Sequence, residues 1–344
     1  MTPIDPRDIL STPFDRRHQL FELRCIEGRL EGIVDPPLIH AVDSWAQSEG
    51  IISVVRGVAS HPGTSKRQVR LRSAPGAEAP AVTEVLLGQP LELLELQLPH
   101  PHFLEGGAMD GQAIADEALD GGAMAGGLHD GEAVEDEIHE WVRVRTIADR
   151  YLGWMPRGEL IREPYEVTHQ VSALRAHAYD SPRVQGKVLA RLSWGSRVRV
   201  VAQEGPWWRG VLPDGRDAYL AAATLTAIDE CGVVPMLESW QSLLATPYLW
   251  GGCSAWGLDC SGLVQLLGRM AGISLPRDSD EQGLAGVPVE SPEPRDLALF
   301  PGHIGLCLGG GRVVHAGATA MRVRVDPISE VASAAGGISG YVRV

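Results

Sequence analysis

Leu258-Asp259-Cys260-Ser261-Gly262-Leu263-Val264-Gln265-Leu266-Leu267-Gly268-Arg269-Met270 is the stretch on which the reading of this chain turns. From Ser261 onward its apolar residues recur at helical spacing. Residues 247–258, rich in Gly and Trp and opened by Pro247, should turn instead. Asp259 at the junction suits an N-cap. Cys260 then falls in the first helical turn, where unpaired N–H groups and the helix dipole favour a thiolate. A free cysteine is more often a small buried hydrophobe. What raises the nucleophile reading above that one lies downstream.

His303-Ile304-Gly305-Leu306-Cys307-Leu308 reads as a strand, Gly309-Gly310-Gly311 as a tight turn and Arg312-Val313-Val314-His315 as the returning strand. If residue 307 pairs with 311, then 303 pairs with 315 and the imidazoles are cross-strand neighbours with Cβ atoms roughly 5 Å apart. A two-residue loop would make them diagonal, still within reach. One ring could accept the thiol proton while the other holds it in the right tautomer. Surface polarity is the bland alternative, since the chain has 11 histidines. A thiol with two such histidines is the minimum equipment for nucleophilic amide hydrolysis.

These residues resemble the NlpC/P60 cysteine peptidases. The matching pieces are Thr246-Pro247-Tyr248-Leu249-Trp250-Gly251-Gly252, Asp259-Cys260-Ser261-Gly262-Leu263-Val264, and Leu275-Pro276-Arg277-Asp278-Ser279 with Gln282. Pro294-Arg295-Asp296-Leu297, His303-Ile304-Gly305 and Val314-His315-Ala316 follow in the family's order. The resemblance covers about residues 235–344 and implies an α+β, papain-like catalytic fold. It implies Cys260 as nucleophile, His303 as base and His315 as the orienting third residue, with Tyr248 helping the Cys260 N–H in an oxyanion hole. Trp250 is placed with the substrate-binding residues. Arg295 stands where the family usually has Gly.

Composition narrows the class. A net charge of −14 and five cysteines, Cys25, Cys231, Cys253, Cys260 and Cys307, argue against a nucleic-acid partner and against a disulfide framework. No zinc-type Cys/His spacing surrounds Cys253 and Cys260, so neither metal nor cofactor is expected, although Cys260, His303 and His315 as zinc ligands is the competing chemistry. The first residues lack a basic segment followed by an apolar core, and no apolar run is long enough to span a membrane. A cytoplasmic protein acting without a membrane is the expectation.

The front of the chain has its own order. Residues 14–50 read as one or two amphipathic helices broken at Pro36-Pro37, giving an N-terminal helical segment over 1–50. A weak repeat follows: Ala79-Pro80-Ala81-Val82 onward parallels Ser181-Pro182-Arg183-Val184 onward, and Glu140-Trp141-Val142-Arg143-Val144 … Tyr151-Leu152-Gly153-Trp154 parallels Pro206-Trp207-Trp208-Arg209 … Ala218-Tyr219-Leu220. Short alternating strands punctuated by Gly and Pro predict two small β-barrels, over 51–165 and 166–230. The pattern resembles bacterial SH3 domains. The peptidase domain then spans 231–344. An insert at 98–140 carries eleven acidic residues and no Lys or Arg, as befits a solvated hairpin tip or loop. Its histidines, His100, His102, His129 and His139, are read as part of that loop rather than as a metal site.

This order of domains resembles the recycling subgroup of the family, the γ-D-glutamyl-L-diamino acid endopeptidases. The resemblance implies a small peptide substrate, a wall stem peptide with a free N-terminal L-Ala, cut after γ-D-Glu. It implies that Asp259 and Ser261 hold the substrate ammonium, with Tyr151 from the first barrel. For Asp259 the plain N-cap is the competing reading, and for Tyr151 a place in the barrel core. Two alternatives stand beside this: an exported hydrolase of intact peptidoglycan, and an amidase or acyltransferase using the same thiol chemistry.

Overall fold

A computed structural model of the chain describes residues 22–26, 29–34, 36–48, 52–96 and 141–344. The acidic insert at 98–140 and its histidines lie outside the described residues. The chain divides into two compact units, Met1–Ser60 with Leu94–Glu140, and His61–Leu93 with Trp141–Val344.

In the first unit, strands Glu22–Ile26 and Arg29–Val34 form an antiparallel pair. Helix Pro36–Ser48 follows. Residues 52–57 of strand Ile52–Ser65 then lie parallel to Arg29–Val34. Val34, Val42 and Ala46 are fully buried. Of the one or two helices expected over 14–50, the described residues carry one, Pro36–Ser48; Glu22–Ile26 and Arg29–Val34 are corrected to strands. Glu22-Leu23-Arg24-Cys25 alternates charged and apolar residues, a period of two rather than 3.6. Pro36-Pro37 opens the helix instead of breaking it, because a first-turn proline forfeits no hydrogen bond and its φ already suits the helix.

The second unit begins with two β-structures built in the same order. The first runs through strands Val69–Arg72, Ala81–Val85, Pro90–Leu96, Trp141–Thr146 and Leu152–Pro156. A 3-10 turn Arg157–Glu159 and a short strand Leu160–Ile161 close it. The second runs through Arg175–Tyr179, Val188–Ser193, Arg197–Glu204, Trp207–Val211 and Asp217–Ala221, then a 3-10 turn Ala222–Thr224 and strand Leu225–Ala227. In each, the closing strand pairs with an entering one: Leu160–Ile161 with Thr64 and Ser65, and Leu225–Ala227 with His169–Val171. Each has its own apolar core, one around Leu71, Leu91, Leu93 and Met155, the other around Leu192, Val198, Leu212 and Leu220. Leu87 of the first packs into the core of the second, and its carbonyl accepts the Arg197 N–H at 2.9 Å.

The remaining part is an antiparallel sheet with a helix on each face. The strand order is Val287–Val289, Gly340–Arg343, Leu297–Phe300, His303–Gly309, Arg312–Gly317, Arg322–Pro327. Alternation sorts the central strands. Ile304, Leu306, Val314 and Ala316 join Leu263, Val264, Leu266 and Leu267 of helix Cys260–Met270 in one core. Cys307 and Val313 pack with Val331 of helix Ile328–Ala335 on the other side. Burial of these aliphatic side chains contributes roughly 1.5–3 kcal/mol each, and it fixes the end of one helix against the start of one strand.

Candidate active site

The nucleophile candidate is placed by a helix start. Helix Cys260–Met270 has Asp259 as N-cap, its Oδ1 accepting the Gly262 N–H at 2.7 Å. The turn before it folds back over the cap: the Gly251 N–H donates to Asp259 Oδ2 at 2.8 Å and the Asp259 N–H to the Gly252 carbonyl at 3.1 Å. Gly251, at φ +75°, takes the left-handed conformation this turn requires.

Arg277 completes that cap, a role its place in the sequence, 18 residues beyond Asp259, does not reveal. Its side chain is fully buried and forks onto Asp259, Nη2 to Oδ2 at 2.6 Å and Nη1 to Oδ1 at 3.1 Å. Nη1 also donates to Ser261 Oγ at 2.8 Å, and Nε to Thr83 Oγ1, in the first β-structure, at 3.0 Å. Gln282 donates to the carbonyls of Ser261 and Pro276. Two further bonds from the first β-structure reach the same flank. Asp149 Oδ2 accepts from Gln265 Nε2 at 2.7 Å, and Tyr151 Oη donates to Asp278 Oδ2 at 2.9 Å.

The histidines approach from the sheet. The hairpin pairs Leu306 with Val314 and Cys307 with Val313, and Gly309 with Arg312 across a bulge. Direct pairing of 303 with 315 is thereby corrected to the diagonal arrangement, because Gly310-Gly311 closes a two-residue turn. His303 Nε2 lies 2.8 Å from His315 Nδ1, the rings nearly perpendicular. Gly305 stands opposite His315, and a Cβ there would come within 2.6 Å of the Val313 side chain and 3.0 Å of His315 Cβ. His315 Nε2 in turn lies 3.0 Å from Asp326 Oδ2, and Asp326 is ion-paired with Arg324.

This chain of contacts fixes the tautomers. A carboxylate only accepts, so His315 carries its proton on Nε2 and presents a lone pair at Nδ1. His303 must then donate from Nε2, which leaves its Nδ1 free to accept. Asp326 was not expected. Its signal was the alternation Arg322-Val323-Arg324-Val325-Asp326, which sets Arg324 and Asp326 on the His315 face of the adjacent strand.

Cys260, His303, His315, Tyr248 and Trp250 line one pocket of about 590 Å³. The backbone N–H groups of Ser261 and of Ile304, beside His303, favour the thiolate. Burial, then the charge of Asp259, nevertheless push the thiol up to about 11. Burial and the neighbouring His315 hold His303 down to about 4. Thiol and imidazole therefore rest neutral, which corrects the expectation of a resting thiolate: at this helix start desolvation outweighs the dipole. Burial also raises the Tyr248 hydroxyl to about 12, so it stays a proton donor. Trp250, 66% exposed, stands at the rim.

Asp259, Ser261 and Tyr151 do not line this pocket. Both Asp259 oxygens are occupied by the Arg277 fork and two backbone N–H groups. Tyr151 is only 4% exposed. Among the described residues no cluster of three His, Cys, Asp or Glu side chains has a geometry suited to a metal ion.

Residues 245–335 match the NlpC/P60 family. Two relatives are the gamma-D-glutamyl-L-lysine dipeptidyl-peptidase of Bacillus subtilis, 27% identical over 56% of this chain and 71% of its own length, and dipeptidyl-peptidase 6 of Lysinibacillus sphaericus, 27% identical over 57% and 80%. The crystal structure of an NlpC/P60 family protein from Bacillus cereus superposes with a TM-score of 0.60 at 19% identity, covering 82% of this chain and 99% of that one, a likeness of fold. Cys260, His303, His315 and Asp326 all fall within the matched segment, and through it this chain carries an NlpC/P60 domain and is a cysteine peptidase.

Proposed function

We propose that the chain releases an N-terminal dipeptide from short wall-derived peptides by cutting the bond between γ-D-Glu and a diamino acid. The observation that carries this is the His303–His315 pair at 2.8 Å in one pocket with Cys260. The dipeptidyl-peptidase relatives support the choice of bond. The two β-structures serve, in this reading, as SH3-like modules ahead of a papain-like domain.

His303 Nδ1 takes the thiol proton as Sγ attacks the γ-carbonyl carbon. The oxyanion is met by the Cys260 N–H, which has no intrahelical partner, and by the Tyr248 hydroxyl. His303 passes its proton to the leaving amine, leaving a thioester. Water, deprotonated by His303, then releases the dipeptide and restores the thiol.

The amine end of the substrate falls to the flank of Asp259, Ser261 and Tyr151. With both Asp259 oxygens and Ser261 Oγ bonded to Arg277, and Tyr151 buried against Asp278, the part of this flank is charge and support of the pocket edge on which the amine rests. A free N-terminus is then required, and recycling of released peptides inside the cell is the process that supplies it.

The test compares kcat/KM on L-Ala-γ-D-Glu-L-Lys, its N-acetylated form and intact sacculi. Free peptide should be cut at least ~100-fold better than blocked peptide, and Cys260→Ala should cut neither. Similar rates on both peptides, or release from sacculi, would overturn the free-amine reading. Transfer of the dipeptide to an added amine in preference to water would point to an acyltransferase.

A further inference from the structure

A second cavity, of about 810 Å³, lies among the two β-structures and Trp256, and shares no lining residue with the Cys260 pocket. Five cationic side chains and three carboxylates line it. The carboxylates are committed. Glu159 pairs with Arg67 and Asp214 with Arg216. Glu84 accepts from Gln68 at 2.7 Å and from the Cys253 N–H at 3.2 Å.

Lys66, Arg70 and Arg191 remain, and among the described residues none of them is paired with a carboxylate. Lys66 Nζ reaches only the Gly158 carbonyl, at 3.4 Å. Arg70 Nη2 donates to the Trp250 carbonyl, but its Nε is buried with no partner. The Arg191 guanidinium lies 5.6 Å from the centre of the Trp256 ring, which is itself held by a bond from Nε1 to the Leu192 carbonyl at 3.1 Å. A cation–π contact orients a guanidinium without neutralising it.

Five cations against three carboxylates leave the lining of this hollow net positive, out of character for a chain of net charge −14. A buried guanidinium N–H without an acceptor is costly, and an oxyanion would satisfy it through charge-assisted bonds. We infer that this cavity binds a compact anion bearing at least two carboxylate or phosphate groups, at a site separate from catalysis.

The experiment is calorimetric titration of the full chain with citrate and, separately, with inorganic pyrophosphate, at fixed ionic strength. The two arms distinguish carboxylate from phosphate preference. At least one should bind one-to-one with Kd below about 1 mM, a level a few charge-assisted bonds can reach. Lys66→Ala with Arg191→Ala should weaken it at least ~10-fold, the loss expected for two such partners, with kcat/KM on the peptide and the melting temperature unchanged. If the double variant fails to fold, Arg191→Gln alone should weaken binding in the same direction. Absence of one-to-one binding by either anion, binding unaltered in these variants, or protection of Cys260 from alkylation by the anion would overturn the assignment.

Discussion

The two flanks of the Cys260 pocket are built on different plans. The helix flank is held from outside: Thr83, Asp149 and Tyr151, all from the first β-structure, bond to Arg277, Gln265 and Asp278. The strand flank is self-contained, with His303, His315, Asp326 and Arg324 all on three adjacent strands of one sheet. The difference teaches that position and protonation are controlled separately. Damage to the first β-structure should move the nucleophile without altering the histidines, and damage to the sheet relay should do the reverse.

Arg277→Met is the strongest way to break the helix flank. It leaves the buried Asp259 carboxylate without its cation, so stability should fall by about 3–5 kcal/mol, measured by denaturant unfolding, and activity should be lost. Asp326→Asn tests the other flank. An amide can donate to His315 Nε2, which moves that ring's proton to Nδ1; His303 then accepts at Nε2, carries its own proton on Nδ1 and has no lone pair left for the thiol proton. kcat should drop by about 10²-fold or more with stability nearly unchanged. Asp326→Ala, which imposes no tautomer, should be less harmful than Asp326→Asn; the opposite ranking would sink the relay.

Thr83→Val sharpens the comparison at smaller amplitude. It strips the acceptor from the buried Arg277 Nε, at a cost of about 1–3 kcal/mol. Its pH profile should match the parent's, since no histidine contact changes. That profile is itself a prediction. The base must be neutral, and burial depresses His303 to about 4 from 6.5. The acid limb of kcat/KM should therefore lie near pH 4. The unfolded chain binds this proton from pH 6.5 downward while the folded chain resists it, so this group's contribution to stability is full above 6.5 and falls as pH drops toward 4.

The smallest effect is a gain. Arg295 sits at φ +88°, where a Cβ is strained. Arg295→Gly should stabilise the strand flank by about 1 kcal/mol, seen as a raised melting temperature with unchanged activity.

Much of this was legible in the sequence because it is local. The cap at Asp259, the helix behind Cys260 and the strands carrying both histidines follow from periodicity and turn residues within a few positions. The repeat that gives the two β-structures was legible as parallel strings of Trp, Gly and Pro. Three things were not. The N-terminal strands are hard to read because each is only five or six residues long, too short for alternation to stand apart from a helical pattern. The role of Arg277 is hidden because its partners, Thr83 and Asp259, are brought to it only by packing across 194 and 18 residues. The resting thiol was misjudged because a helix start is visible in sequence while its burial is not.

That last feature reaches beyond catalysis. Peroxides attack thiolates, and all four cysteines whose side chains are described, Cys231, Cys253, Cys260 and Cys307, are shifted toward the protonated form, chiefly by burial. Between turnovers the nucleophile is therefore held in reserve against oxidants, becoming vulnerable only when His303 draws its proton away.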